Sequence, residues 1–347
     1  MSCTAKSIHK TPNSSDNIAS IYIPLRRRLQ MLSVIIWLTM IFSTTSLFLF
    51  LCSQFYLWGV IIIYLIYVLC DTTQEKGGRR SFWVRNWSLW KYMSEYFPIQ
   101  IIKEKDLNPQ SRYIFGYHPH GILSFGAVSM FATEGSGFSS LFPGITPHLM
   151  VLPTLFKLPF YRDLLLSMGF CSVSKKSCEY VLSSAPGSSI TIVVGGAQEA
   201  MNAFPGTNDI ILEKRLGFVK LAIEQQADLV PVFCFGETDL YQQYSIKSSS
   251  LLSTLQKKVK KWFGFTFPFF YARGIFNYDF GLLPFRKPIY CIVGKPVKVS
   301  RIKDDLAPTK EQIIAVQKEY ISELTNIYDK YKNIYAKDRK QELQIIA

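Results

Sequence analysis

Histidine is scarce in this chain: 347 residues contain four, His9, His118, His120 and His148. No HExxH occurs, and no acidic cluster or cysteine pair lies near His118 and His120, so an HxH metal site would lack its third and fourth ligands. The seven cysteines, at 3, 52, 70, 171, 178, 234 and 291, form no CxxC and no evenly spaced framework. That pattern excludes a disulfide scaffold and places the soluble part in a reducing compartment. There is no GxSxG, which argues against a serine hydrolase, and no Walker A loop or strand-borne GxGxxG, which argues against nucleotide chemistry of those types. Acidic residues are also in deficit, 25 against 39 Lys and Arg, leaving a formal charge of +14. A surplus of that size suits an anionic partner, but helix-turn-helix, zinc-finger and RNP patterns are all missing, which excludes nucleic acid.

What the sequence does have is a long uncharged run. Leu29 to Cys70 is 42 residues without Asp, Glu, Lys, Arg or His. As helix it would extend about 63 Å, roughly two crossings of a ~30 Å hydrocarbon core. Ser43–Ser46 or Ser53/Gln54 would supply the bend, and the run is flanked by Arg26, Arg27, Arg28 on one side and Lys76, Arg79, Arg80, Arg85 on the other. Cations at both ends predict a hairpin, fully spanning or re-entrant, with both termini cytosolic. The run is too long and starts too late for a cleaved signal peptide. Asn13 and Asn86 match the glycosylation pattern by chance on this topology. The predicted organisation is a tail, 1–28, the hairpin, 29–70, and one cytosol-facing, membrane-associated domain, 71–347. Membrane lipid then becomes the favoured anionic partner.

Beyond Gly78 the hydrophobic period changes. RYIFGY (112–117), SITIVV (189–194), LVPVFCF (229–235) and IYCIV (289–293) are near-continuous apolar runs, as in strands covered on both faces. Helix-like stretches at Lys175 to Ser184 and Ile210 to Gln226 lie between them. The fold class is therefore α/β, a sandwich with a largely parallel sheet behind an N-terminal transmembrane helical hairpin. Near the C-terminus, Pro308, Thr309 and Gln312 form a capping-box signature. Ile313, Tyr320, Leu324, Ile327, Tyr331 and Ile334 then share one face, which predicts a docked helix without a catalytic role. WFGFTFPFFYARGIF (262–276), beside Lys257, Lys258, Lys260 and Lys261, has the composition of a lipid–water interface, and a buried core with a basic face would look similar.

Two of the four histidines sit together in YHPHG, directly after an apolar strand, and strand ends in α/β sheets are where ligands bind. Pro119 fixes the backbone between them, and Gly121 permits a turn or the close approach of a substrate oxygen. A plain turn is an open alternative on these five residues. A strand-end histidine at a membrane surface, without metal or nucleotide, suits general-base catalysis on an alcohol, with backbone donors stabilising the carbonyl oxygen of an activated acyl group.

The ordered blocks RRSFWVRNW, EYFPIQIIK, RYIFGYHPHGI, FPGITPHLM, VVGGAQEA, RLGFVKLA, LVPVFCFGE and ARGIFNYDFG, from about Arg79 to Ser300, resemble the type 2 diacylglycerol acyltransferase family. That family includes monoacylglycerol and wax-alcohol acyltransferases. The resemblance implies a glycerolipid-acyltransferase-like fold in the endoplasmic reticulum membrane, with the lipid droplet surface as a further location. It implies acyl-CoA as a substrate, no cofactor, and diacylglycerol or a related neutral-lipid alcohol as acceptor. Transfer would be direct, with His118 or His120 taking the acceptor's proton. A homo-oligomer is compatible with it, and a lipid-binding or droplet-shaping membrane protein is the non-enzyme alternative.

The wider glycerolipid acyltransferases use HxxxxD, in which an aspartate orients the histidine; counted from His118, that position here is Leu123. Another group must hold the imidazole. Glu199 in VVGGAQEA is the leading candidate and Glu237 in CFGE the reserve, each with a surface-loop glutamate as the bland alternative. Gly195 and Gly196 would offer N–H groups to an oxyanion or simply allow a tight turn. Arg215 and Lys220 in RLGFVKLA would meet CoA phosphates, or else form a solvated helix face. Gln226 stands where the family has glycine, which would cost roughly 1 kcal/mol in a left-handed conformation.

Overall fold

The computed structural model describes residues 23–243, 269–276, 278, 280–299 and 307–346. Most of the predicted tail, Asn13, the four lysines 257–261 and residues 262–268 of the aromatic stretch lie outside the described residues.

The uncharged run forms two helices, Leu25–Cys52 and Trp58–Cys70. The break falls at Ser53 and Gln54; Thr39, Thr44 and Thr45 instead turn their hydroxyls back onto carbonyls within the first helix and do not interrupt it. At ~1.5 Å per residue the first helix reaches about 42 Å, and the second, counted with its flanking helical turns as Phe55–Glu75, about 31 Å, each enough for a ~30 Å core. Phe42, Phe50, Phe55, Trp58, Ile63 and Leu69 stand exposed along the pair, and both segments are apolar enough to cross a membrane. Polar contacts tie the ends of the hairpin to the body. Arg26 makes a two-pronged contact with Glu95 at 2.9 and 3.0 Å, and Asp71 receives Arg162 at 2.7 Å and Arg79 at 2.8 Å.

Eleven strands follow among the described residues: β1 Gln100–Lys103, β2 Tyr113–His118, β3 Thr146–Val151, β4 Cys171–Ser172, β5 Ser188–Val193, β6 Asp209–Ile211, β7 Asp228–Phe235, β8 Gln242–Gln243, β9 Phe270–Tyr271, β10 Tyr290–Val293 and β11 Gln344–Ile346. Seven form one sheet in the order β1-β10-β7-β2-β5-β3-β4. The run from β7 to β4 is parallel throughout, and β10 is antiparallel to β7. All four apolar runs predicted as strands lie in this sheet, three of them at its centre. The stretch from Ile210 to Gln226 is not one helix: Ile210 and Ile211 pair with β11, and the helix is Gly217–Gln225. Gln226 ends it at φ +51°, the left-handed conformation in which a side chain is strained.

Alternation along β2 sorts the two cores. Tyr113, Phe115 and Tyr117 face the core shared with Val34 of the hairpin and with Trp90. Ile114 faces the opposite core, with Phe218, Tyr320, Leu324 and Ile327. That second core is roofed by helix Lys310–Tyr335, which begins with the predicted capping box at Thr309 and Gln312. Gln317 and Tyr328 join its buried face, whereas Ile334, expected there, is 56% exposed.

Candidate active site

His118 closes β2, and YHPHG turns away from the sheet through a cis His118–Pro119 bond. By the alternation of the strand, Gly116 and His118 share the face of the C-terminal helix. Gly116 has no side chain there, and the hydroxyl of Tyr320 occupies the space: a Cβ on Gly116 would lie 2.0 Å from it. Tyr320 Oη donates to the Gly116 carbonyl at 3.1 Å and lies 3.0 Å from His118 Nε2. The hydroxyl proton is committed to the carbonyl, so His118 Nε2–H is the donor to Tyr320, and Nδ1 holds the lone pair. That Nδ1 is buried without a partner among the described residues. Burial alone pushes His118 down to about 3. The C-terminal helix, expected only to dock, thus supplies the partner of His118.

His120 differs. It is only half-buried, and its Nδ1 lies 2.9 Å from the Gly121 carbonyl. A carbonyl only accepts, so Nδ1 carries the proton and Nε2 presents a lone pair. Burial lowers the affinity of this ring for a proton, and the contact with the Gly121 carbonyl opposes that. Ser124 Oγ donates to the His120 carbonyl at 2.7 Å and sits 3.5 Å from Nδ1, closing the turn.

Neither carboxylate reaches an imidazole. Glu199, on the short helix Gly196–Ala200 after β5, accepts the backbone N–H of His120 with one oxygen and that of Ile211 with the other, the latter at 2.9 Å. The leading candidate therefore orients the backbone of the turn and not a ring. Glu237, past the end of β7, accepts Tyr117 Oη at 2.7 Å, Phe125 N at 2.8 Å and Gly126 N at 2.9 Å. It lies against Gly121, where a Cβ would sit 2.7 Å from its Cγ; Gly121 also has φ +60°. Both glutamates are buried, and burial pushes each up to about 7, against the pull of the bonds they accept. Neither is a surface-loop residue.

The glycines of VVGGAQEA have separate reasons. Gly195 touches the Glu199 carboxylate, where a Cβ would overlap it at 2.0 Å, and Gly196 has φ +62°. Arg215 donates to the Gly195 carbonyl at 3.2 Å, tying RLGF to this turn. Arg215 and Lys220 line one cleft of about 510 Å³ with Lys175, Lys214, Gly217 and Phe218, at the start of helix Gly217–Gln225. Lys220 shares Glu224 with Lys175, at 3.8 and 2.9 Å. Phe218 joins the cleft to the site, its ring packing edge-on against Tyr320 at 5.2 Å.

The structure gathers the predicted His118, His120, Glu199 and Glu237 around one turn and sets the predicted Arg215 and Lys220 in a neighbouring cleft. Sequence reasoning missed Tyr320, Tyr117 and Ser124. The presence of Tyr320 on the same helical face as Ile313 and Leu324 was visible, but the neighbouring hollow at Gly116 was not marked by any motif.

A family model described as diacylglycerol acyltransferase matches residues 47–346. The chain is 50% identical over 326 residues to diacylglycerol O-acyltransferase 2B of Umbelopsis ramanniana, covering 94% of this chain and 93% of that one. It is 46% identical over 323 residues to 2-acylglycerol O-acyltransferase 1 of Bos taurus, covering 91% and 95%. Among solved structures it is similar to the 1-acyl-sn-glycerophosphate acyltransferase of Thermotoga maritima, at 11% identity and a TM-score of 0.37, covering 87% of this chain and 97% of that one. With its α/β sheet behind two apolar helices, this chain is an acyltransferase and belongs to the diacylglycerol acyltransferase family.

Proposed function

We propose that the chain transfers a fatty acyl group from acyl-CoA directly to the free hydroxyl of diacylglycerol, forming triacylglycerol, with His120 Nε2 as general base. The observation that carries this assignment is the hydrogen bond from His120 Nδ1 to the Gly121 carbonyl, which leaves Nε2 unprotonated on the more open of the two rings. His120 Nε2 takes the acceptor's hydroxyl proton as the oxygen attacks the thioester carbonyl carbon. The C–O bond forms, the C–S bond breaks, and the departing thiolate takes the proton back from the imidazolium. Burial lowers the proton affinity of both rings, His118 to about 3, so tautomer and access, and not basicity, favour His120.

Backbone N–H groups at the Gly121 and Gly195–Gly196 turns are the proposed donors to the oxyanion. The cleft of Arg215, Lys220, Lys175 and Lys214 is the proposed seat of the CoA phosphates, where cations meet a helix N-terminus. No further cofactor enters the scheme. The hairpin, flanked by cations, supports a membrane placement with both termini on the cytosolic side, and membership of the family supports the endoplasmic reticulum or the lipid droplet surface as that membrane.

Monoacylglycerol is the second acceptor to consider, since a relative at 46% identity is named for 2-acylglycerol. Microsomes from cells lacking neutral-lipid synthesis, expressing this chain and given labelled acyl-CoA with diacylglycerol, monoacylglycerol or a long-chain alcohol, decide among them. The expected result is labelled triacylglycerol. Label chiefly in diacylglycerol or wax ester reassigns the acceptor, and no ester with any acceptor sinks the proposal.

A further inference from the structure

We infer that Tyr320, on the C-terminal helix, is a positioning residue for acyl transfer that acts through His118. The inference rests on the proposed transfer at the YHPHG turn and concerns a residue 202 positions from the histidine it serves.

Three observations meet at one atom. The Tyr320 hydroxyl fills the hollow that Gly116 leaves in the sheet, so tightly that a Cβ there would overlap it. It donates to the Gly116 carbonyl on β2 and accepts from His118 Nε2. Tyr320 and His118 are both fully buried, so no water competes for those bonds. Together they form a chain from a strand carbonyl through a hydroxyl to an imidazole. Its direction is set by the one group that cannot donate, the Gly116 carbonyl.

The consequence is a fixed ring and a fixed tautomer. His118 is pinned two residues before His120, at the point where the chain leaves the sheet, so the start of the turn inherits the rigidity of a buried helix. Without the hydroxyl, the Nε2–H of His118 would be buried without an acceptor, and the ring would turn to find one. The far side of Tyr320 packs against Phe218, which lines the basic cleft. The tyrosine therefore stands between the CoA-side cleft and the histidine turn. Glu199, Arg215 and Glu237, the charged or titratable groups nearest the turn, contact other atoms and do not replace it.

Tyr320→Phe in the full-length protein is the test. It keeps the ring against Phe218 and removes one oxygen. The expected result is a fall in kcat of about tenfold, the scale of one hydrogen bond to a group in the site, with KM for acyl-CoA and acceptor unchanged. Tyr328→Phe, the same atom deleted from another buried tyrosine on the same helix, is the control and keeps full activity. Because Tyr320 acts through His118, the double variant Tyr320→Phe/His118→Ala should be no slower than His118→Ala alone. Full kcat in Tyr320→Phe, or losses that multiply in the double variant, would overturn the inference while leaving the reaction assigned to the turn intact. An inactive wild type would instead strike at the transfer reaction itself.

Discussion

The two histidines of YHPHG are two residues apart and live in different surroundings. His118 ends a central strand, fully buried, with a tyrosine from the opposite end of the chain on one nitrogen. His120 stands in the turn beyond, half-buried, with its own neighbour's carbonyl on one nitrogen. The same side chain is thus made into a fixed strut in one place and an available lone pair in the other. What separates them is the pleat: strand alternation drives His118 into the core under the C-terminal helix, and the turn frees His120 from it. The two glutamates brace the turn, one at the His120 N–H and the other at the Tyr117 hydroxyl and the Phe125 and Gly126 N–H groups.

Perturbing that frame should break the comparison most severely at Glu199. Glu199→Ala leaves two N–H groups, those of His120 and Ile211, without their acceptor, at ~1–3 kcal/mol each if both remain dry. We expect about 2–6 kcal/mol of lost stability by thermal unfolding in detergent, together with more than tenfold lost kcat. A variant as stable and as active as the wild type would mean that the turn holds itself.

Glu237 gives a smaller effect with a definite sign. Its carboxyl titrates near 4.5 when exposed and near 7 when buried. Between those values the folded chain keeps a proton that the unfolded chain has released, so stability falls as pH rises from about 4.5 to about 7, and the loss is complete above that. Glu199, raised in the same direction, adds a slope of its own. Melting temperatures across this window should fall less steeply in Glu237→Gln than in the wild type; an unchanged slope would contradict the buried, proton-holding state of Glu237. Smallest of the set is Ser124→Ala. It removes one hydrogen bond to the His120 carbonyl, and a drop in kcat of a few-fold, about 1 kcal/mol or less, is the expected reading. A hundredfold drop would give the hydroxyl a chemical part in place of a local brace.

Much of this was legible in the sequence because it is written in local pattern. Apolar runs marked the central strands, an uncharged stretch marked the hairpin, and a capping box marked the last helix within a residue. The site was legible as a turn because histidine, proline and glycine each constrain the chain there. What escaped was pairing across distance. Glu199 was expected at an imidazole and grips an amide, since sequence places a carboxylate near a turn without saying which atom it meets. Tyr320 looked like one more core residue of a docked helix, and only the hollow at Gly116, built by a strand 204 residues earlier, gives its hydroxyl a purpose. The Ile210 to Gln226 stretch read as one helix because Ile210 and Ile211 continue its apolar pattern; their pairing partner, β11, lies at the far end of the chain.

The division of labour between the histidines is the central claim, and a pair of matched substitutions tests it. The kcat for diacylglycerol acylation should be measured for His120→Gln and His118→Gln at equal protein abundance. The account predicts that His120→Gln loses ~10²–10⁴ of the rate, the scale of a removed general base, while His118→Gln loses about ten- to a hundredfold. A His120→Gln protein that keeps most of its rate, beside a His118→Gln protein that loses it all, would contradict the assignment.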